Sequence, residues 1–212
     1  MNINWSFLWE KFVFQVIDLK GYETILTGLK NTLIIALVGF LIGLILGAIL
    51  AIIQLLPKHP VSNFFKVISK GYIGLFRGTP IVVQLLLGWY VLKPILGIRG
   101  ANALIWGTVI FGLNSAAYVA EIIRGGLESV DDGQLEAGES LGLSTLQIMV
   151  NIVLPQGLRR ALPSLFNEFI ALVKETSIVG TIGIIDITKV AANITARTLD
   201  PFMPYIISAV IY

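Results

Sequence analysis

The feature that most constrains this chain is the run over residues 32–56, TLIIALVGFLIGLILGAILAIIQLL, which contains no charged residue. A helix needs about 20 mostly apolar residues to cross the hydrocarbon core of a membrane, and this run is long enough. Only 13% of the 212 residues are charged, about half the share that is usual in soluble domains. The sequence therefore predicts a protein that is embedded in a lipid bilayer.

Three glycines in this run, Gly39, Gly43 and Gly47, recur at every fourth position. Such a spacing places small residues on one helix face, where a second helix can approach closely. Glycine is also common in membrane helices without any such role. The regular spacing favours the packing interpretation.

Further apolar segments follow, and polar residues interrupt most of them. They cover residues 67–87, 101–123, 157–173 and 204–212, with a semi-apolar region over 177–190. Pro80 in the sequence Gly78-Thr79-Pro80 is expected to break the second segment, because proline removes a backbone hydrogen bond. The sequence predicts an all-α polytopic membrane protein with about five transmembrane helices. Its last segment covers about half a crossing, so we expect the natural chain to continue.

The N-terminal residues 1–22 are predicted to form an interfacial segment. Trp5, Leu8, Phe12 and Leu19 roughly follow helical spacing, which is typical of a helix lying at the headgroup region. An ordinary amphipathic connector is the alternative. Residues 23–212 are assigned to the transmembrane domain.

The distribution of positive charge predicts the topology. The first connection contains Lys58, beside Pro57 and His59, and is followed by Lys66 and Lys70. The positive-inside tendency therefore places it in the cytoplasm. The N-terminus is then outside and the loop over residues 129–155 is cytoplasmic. Lys93 and Arg99 in the second connection count mildly against this orientation.

Composition excludes several classes of site. The chain has no cysteine and a single histidine, His59, so neither disulfides nor thiolate metal sites are possible and a histidine-based metal centre is not expected. The net charge of +2 gives no indication of nucleic-acid binding. Paired catalytic acids, histidine clusters and nucleophile motifs are not evident, so no catalytic residue is predicted.

The loop over residues 129–155 is polar and punctuated by glycine. Ser129 is followed three residues later by an acid, the form of a capping box, which predicts a helix through Leu141 that ends at Gly142. Ser144 is followed by glutamine in the same way, which predicts a second helix that Pro155 interrupts.

The first of these helices has a mixed surface. Leu135, Ala137 and Leu141 are expected on one side, with Glu136 and Glu139 elsewhere. This composition is typical of a helix that docks in a groove of a partner protein. A cytoplasmic loop with helical content and no partner is the alternative.

The loop resembles a known family motif. Glu136-Ala137-Gly138, then Gly142, then Ile152-Val153-Leu154-Pro155 is similar to the EAA loop of the permeases of bacterial ATP-binding-cassette importers, with Gly138 in place of a second alanine. The flanking sequences RGTP at 77–80, AAYVAE at 116–121, RGG at 124–126 and KETS at 174–177 resemble the branch that takes up polar amino acids. The resemblance covers roughly residues 28–212.

The resemblance implies a transport subunit in the bacterial inner membrane. In that family the EAA helix couples the membrane helices to ATPase subunits, which assigns this role here to Glu136, Ala137, Gly138, Leu141 and Gly142. The chain has no G-x-x-x-x-G-K-[ST] phosphate loop. ATP and Mg²⁺ would therefore be bound by the partner ATPase, and no cofactor is expected in this chain. The other implied partners are a second permease subunit, identical or closely related, and an external solute-binding protein.

Polar residues within the apolar segments are candidates for substrate contact, because charges there are costly. Arg77 is suited to binding a carboxylate or to anchoring carbonyl groups freed at the helix break. Glu168, beside Asn167, is suited to a cationic group of a ligand or to pairing with Arg77 or Lys174.

Other polar residues are weaker candidates. Gln84 and Tyr118 are included in the predicted substrate site, whereas Glu121 and Arg124 are expected to form a local ion pair, since they lie three residues apart on a helix. The predicted substrate is a polar amino acid, and Glu168 favours a cationic one. A stand-alone secondary carrier or channel is the alternative function, but the internal repeats typical of such carriers are not evident.

Overall fold

The computed structural model describes residues 5–57, 59–100 and 102–212, and all regular structure in these residues is helical. The predicted all-α fold is confirmed. Lys58, residues 1–4 of the predicted N-terminal segment and Ala101, the first residue of the third predicted span, lie outside the described residues. The helices are α1 (Trp5–Phe12), α2 (Gly21–Leu55), α3 (Pro60–Gly78), α4 (Ile81–Leu87), α5 (Lys93–Ile95), α6 (Ala103–Glu128), α7 (Asp132–Ser140), α8 (Thr145–Ile148), α9 (Leu154–Glu175), α10 (Ile187–Thr198) and α11 (Phe202–Ile211).

Helical turns of other kinds, wider or tighter than an α-helix, join several of these elements. Val13–Asp18, Gly88–Leu92 and Met149–Val153 are π-helical, and Thr176–Ile182 is a 3₁₀ helix. The contacts divide the chain into two compact units. We call Gly39–Ile81 with Phe111–Ala171 the central unit, and the residues up to Val38 with Val82–Ile110 and Leu172–Tyr212 the terminal unit.

Two helices, α2 and α6, are each long and apolar enough to cross a membrane. Helix α3 and the segment Ile81–Ile95 supply a third candidate span if they are counted as one broken crossing, and α11 is apolar but shorter. The chain is therefore a multi-pass membrane protein, and the total of five crossings stays a prediction. Helix α2 begins at Gly21, ahead of its apolar run. The hydrogen bonds of a helix join backbone groups, so the helix can also include the more polar residues that precede the run.

The predicted break at Pro80 is present. Helix α3 ends at Gly78, and Thr79 has an extended backbone with φ −122° and ψ 142°. A residue before proline is pushed out of the helical region by the proline ring. The chain resumes its helix at Ile81.

Gly43 and Gly47 of α2 pack closely against α6 within the central unit, as the glycine spacing predicted. A Cβ atom at Gly43 would lie 2.7 Å from Cβ of Ser115, and one at Gly47 would lie 2.7 Å from Cβ of Val119 and 2.9 Å from the carbonyl oxygen of Ala116. The two helices can approach this closely only because these side chains are absent.

Replacing Gly47 with alanine should therefore destabilise the protein, by about 1–3 kcal/mol, the usual cost of overpacking. Gly71→Ala on α3 is the matched control, because a Cβ there would meet nothing within 4 Å. Thermal unfolding in detergent, followed by circular dichroism, measures the difference. Equal melting temperatures for the two variants would contradict the packing role of Gly47.

The terminal unit contains a buried carboxylate that organises its last helices. Asp186 is fully buried and caps α10, accepting hydrogen bonds from the backbone N–H groups of Thr188 at 2.9 Å and Lys189 at 3.1 Å. The hydroxyl of Tyr212 donates to the same carboxylate at 3.1 Å. Cap residues of this kind satisfy the unpaired donors of a helix N-terminus.

The N-terminal helix is attached to the terminal unit by polar contacts. Lys11 Nζ lies 2.8 Å from Oδ2 of Asp200, in the connection between α10 and α11, and the buried Gln15 donates to the same oxygen at 3.2 Å. Trp5 is 75% exposed, which is compatible with the predicted interfacial position. Leu19, predicted on the same helix, lies after the π-helical turn instead, because the helix ends at Asp18.

The attachment of α1 should depend on pH only under acidic conditions. The hydrogen bond from Lys11 holds the pKa of Asp200 below its usual value. A carboxylate with a lowered pKa stabilises the folded state fully above its unfolded pKa of about 3.9, and this contribution is lost as the pH falls through the folded value. Fluorescence of Trp5 and Trp9 should be constant from about pH 8 to pH 5 and change below about pH 4. Asp200→Asn should lack this transition; an identical transition in that variant would exclude Asp200 as its cause.

Candidate functional site

The loop between α6 and α9 lies in the central unit and contains the two predicted short helices. Helix α7 begins after Asp131, whose side chain accepts a hydrogen bond from the N–H of Gly133 at 2.8 Å. The prediction that Ser129 caps this helix was wrong. Helix α6 continues to Glu128, so Ser129 lies at its end and its hydroxyl donates to the carbonyl oxygen of Gly126 at 2.7 Å.

The glycine corner after α7 is present as predicted. Gly142 has φ +73°, which glycine adopts without the steric cost that other residues pay. Its N–H donates to the carbonyl of Glu139 at 2.9 Å, and that of Leu143 donates to Gly138 at 3.1 Å. This pair of bonds is the Schellman motif, which closes a helix C-terminus.

The second capping box is also present. The N–H of Ser144 donates to Oε1 of Gln147 at 2.8 Å, and the N–H of Gln147 donates to the Ser144 hydroxyl at 3.4 Å. The prediction that Pro155 interrupts this helix was wrong. The π-helical turn Met149–Val153 precedes it and the chain stays helical through α9, because a wider turn accommodates a residue that donates no backbone hydrogen bond.

The tip of the loop exposes apolar side chains. Leu141 is 78% exposed and Leu146 is 73% exposed, on either side of the Gly142 corner. Glu136 and Ala137 are exposed as well. These exposed side chains are compatible with the predicted contact between the loop and a partner protein, which stays a prediction.

Gly138 differs from the rest of the predicted coupling set because it is buried. A Cβ atom there would lie 2.8 Å from Cγ1 of Ile148 and 3.3 Å from Cδ1 of Ile152. Leu135 is half-buried and packs on the same core. The predicted single apolar face of α7 is thus divided, because Leu135 faces inward whereas Leu141 is exposed. Gly138 contributes to the interior of the loop, where its lack of a side chain lets α7 pack against Ile148 and Ile152.

A series of ion pairs lies along α6 in the central unit. Arg77 Nη1 is 3.3 Å from Oε2 of Glu121, and Arg124 binds both carboxylate oxygens of Glu121 at 2.7 and 3.2 Å. Arg124 also contacts Glu128 at 2.5 Å. The expected pair of Glu121 and Arg124 is therefore present. Arg77 is paired with Glu121 in this structure, and its predicted roles in binding a carboxylate or in anchoring carbonyl groups at the helix break stay predictions.

These side chains border a cavity of about 480 Å³. The guanidinium of Arg77 also lies over the ring of Tyr118, 5.6 Å from its centroid. The structure thus brings together two of the predicted substrate residues, Arg77 and Tyr118. The cavity is lined by Gln54, Leu55, Lys70, Ile73, Gly74, Arg77, Glu121, Arg124 and Glu128.

The predicted acidic residue contacts α6 one turn away from Tyr118. The hydroxyl of Ser115 donates to Oε1 of Glu168 at 2.9 Å, and Glu168 is half-buried. Asn167, beside it, is exposed, and Gln84 belongs to the terminal unit, where it is half-buried. Sequence reasoning gave no part in a binding site to Ser115, or to Lys70 and Gln54 at the cavity. The only signal for such a part was that each is a polar residue in or next to an apolar segment.

Comparison with known proteins identifies the family of this chain. Residues 43–212 match the model of a family described as the inner membrane component of binding-protein-dependent transport systems. A putative glutamine transport system permease protein of Rickettsia bellii is 37% identical over 151 residues, which cover 71% of this chain and 69% of that protein. An arginine transport system permease protein of Bacillus subtilis (strain 168) is 40% identical over 189 residues, which cover 89% of this chain and 84% of that protein.

A solved structure has the same fold. The crystal structure of an amino acid ABC transporter with histidines superposes with a TM-score of 0.85 at 35% sequence identity, covering 100% of this chain and 92% of that chain. The family match extends over most of the sequence and includes the whole loop between α6 and α9. This chain belongs to the family of inner membrane components of binding-protein-dependent transport systems.

Proposed function

We propose that the chain is the membrane-spanning subunit of an ATP-driven importer of polar amino acids. The observation that carries the proposal is the loop with its exposed Leu141 and Leu146, which we interpret as a docking surface because the chain has no phosphate-binding loop motif of its own. The similarity to permeases named for glutamine and arginine transport supports the amino acid as substrate.

Energy would come from ATPase subunits that bind the loop. The exposed residues Glu136, Ala137, Leu141 and Gly142 form the contact surface, and Gly138 holds α7 against the following helix from within. ATP and Mg²⁺ bind to those subunits and not to this chain. The loop faces the cytoplasm of the bacterial cell and the N-terminus faces outward, where a solute-binding protein delivers the substrate.

Two such subunits, identical or closely related, would enclose the pathway. Alternating access then opens the cavity to one side of the membrane at a time. Two permease subunits with two ATPase subunits is the expected composition.

The substrate would be held by its charged ends. Its α-carboxylate would compete with Glu121 for Arg77, an exchange made easier because Glu121 keeps both hydrogen bonds to Arg124. A positive group of the substrate would face Glu168 near Asn167, with Tyr118 beside the carboxylate. Gln84 is the weakest candidate of this set.

Uptake into proteoliposomes tests the proposal. We expect accumulation of a labelled polar amino acid only when the ATPase subunit, the binding protein and ATP are all present. The alternative, a stand-alone secondary carrier or channel, predicts uptake by this chain alone. Uptake that is independent of ATP would overturn the proposal.

A further inference from the structure

The base of the loop is a direct contact between the backbones of α6 and α9. A Cβ atom at Gly126 would lie 2.7 Å from the carbonyl oxygen of Gly157, and one at Gly157 would lie 2.8 Å from Cα of Leu127. Both glycines are buried. The side chains of Leu127 and Ala161 adjoin the contact. The two helices are closely packed here, so movement of one presses on the other.

Polar contacts from α9 fix the start of the loop to this contact. The guanidinium of Arg160 donates to the carbonyl oxygen of Ser129 and lies 3.5 Å from its hydroxyl. The side-chain amide of Gln156 donates to Oε1 of Gln134 in α7 at 3.4 Å. Helix α9 thus holds both the first residue after α6 and the first turn of α7.

The interior of the loop is packed. Val130, Ile148 and Val153 are buried in one apolar cluster that also contains Leu127 of α6. Gly138 brings α7 onto Ile148. A loop that is closed at its base and filled inside moves as one body and does not bend when it is pushed.

We propose that Gly126, Gly157 and Arg160 form a rigid joint that transmits movement of the loop to α6 and α9 together. The inference rests on the proposed function for the source of the movement. Helix α6 carries Ser115 and helix α9 carries Glu168, which are hydrogen-bonded to each other. The joint therefore connects the docking surface to the two helices that hold the proposed substrate contacts. Gly126, Gly157 and Arg160 act as positioning residues for coupling.

Adjacent glycines in α6 provide a matched test. Gly126→Ala inserts a methyl group against Gly157, whereas at Gly125 a Cβ atom would meet nothing within 4 Å. We expect Gly126→Ala to retain the ATPase subunit and its basal hydrolysis, but to lose about tenfold of the substrate-stimulated rate, a typical coupling effect. Gly125→Ala should keep the parent's stimulation. Equal stimulation in the two variants would overturn the proposal.

Adjacent arginines in α9 provide a second test if Gly126→Ala does not assemble. Arg160→Gln removes the charged donor to the Ser129 carbonyl, and Arg159→Gln removes the same charge from an exposed neighbour. For Arg160→Gln we again expect loss of substrate-stimulated hydrolysis with intact assembly. For Arg159→Gln we expect the parent's ratio of stimulated to basal hydrolysis. Loss of stimulation in both would point to net charge and would contradict a joint.

A distance measurement tests the joint without any ATPase. The chain has no cysteine, so spin labels can be placed at the exposed residues Leu141 and Phe166 alone. The proposal predicts a narrow distance distribution in the parent and in Gly125→Ala, and a broadened or shifted one in Gly126→Ala. This result would support the joint even if uptake proved independent of ATP. An unchanged distribution in Gly126→Ala would overturn it even if the importer function held.

Discussion

Gly142→Val should weaken binding of the ATPase subunit and reduce substrate-stimulated ATP hydrolysis by at least about tenfold, while leaving the chain folded. Gly142 has φ +73° and completes the two hydrogen bonds that end α7. A β-branched residue in this left-handed conformation costs roughly 1–2 kcal/mol or more, so the corner would open and separate Leu141 from Leu146. Because this changes the docking surface itself, we expect the ATPase subunit to co-purify poorly and stimulation to fall by at least about tenfold.

The control for this variant is Gly100→Val, in the connection that precedes α6. Gly100 has φ +71°, so a valine there meets nearly the same backbone strain, but it belongs to the terminal unit and is not part of the loop. It should leave ATPase binding unchanged. Stimulation that survives in Gly142→Val, or disappears equally in Gly100→Val, would contradict the role of the corner in docking.

Glu168→Gln should selectively reduce the transport of cationic amino acids. The substitution removes the negative charge and keeps the size of the side chain, and an amide oxygen can still accept the hydrogen bond from Ser115. Loss of a charged partner in a buried pair costs roughly 2 kcal/mol or more, which is at least about tenfold in transport of arginine or lysine. Uptake of neutral polar amino acids such as glutamine should change much less.

Ser115→Ala tests the contribution of the position of Glu168 separately from that of its charge. It removes the hydrogen bond of 2.9 Å and leaves the carboxylate, so a moderate and equal effect on cationic and neutral substrates is expected. Proteoliposome uptake of labelled arginine and glutamine, with ATPase assembly checked for each variant, gives the comparison. If Glu168→Gln transports its cationic substrate normally, the residue is structural and the substrate is a polar amino acid without a required charge.

Local features of this chain were predictable because their causes lie within a few residues. The apolar run over 32–56 predicted the core of α2, and Pro80 predicted the break between α3 and α4. Gly142 and the pair Ser144 and Gln147 predicted a helix end and a helix start through hydrogen bonds of short range. The errors at Ser129 and Pro155 are also local: α6 extends past its apolar segment, and a π-helical turn accommodates the proline.

The sequence by itself thus determined that the chain is helical, that it enters a membrane and, through the motif from Glu136 to Pro155, the family it belongs to. Only the tertiary structure decided which polar groups meet. The pairing of Arg77 with Glu121, the bond between Ser115 and Glu168 and the contact of Gly126 with Gly157 each join separate helices. Each contact joins residues that lie far apart along the chain, in α3 and α6 or in α6 and α9. The sequence of one helix does not specify which residue of a distant helix will face it, because that depends on how the helices pack against one another.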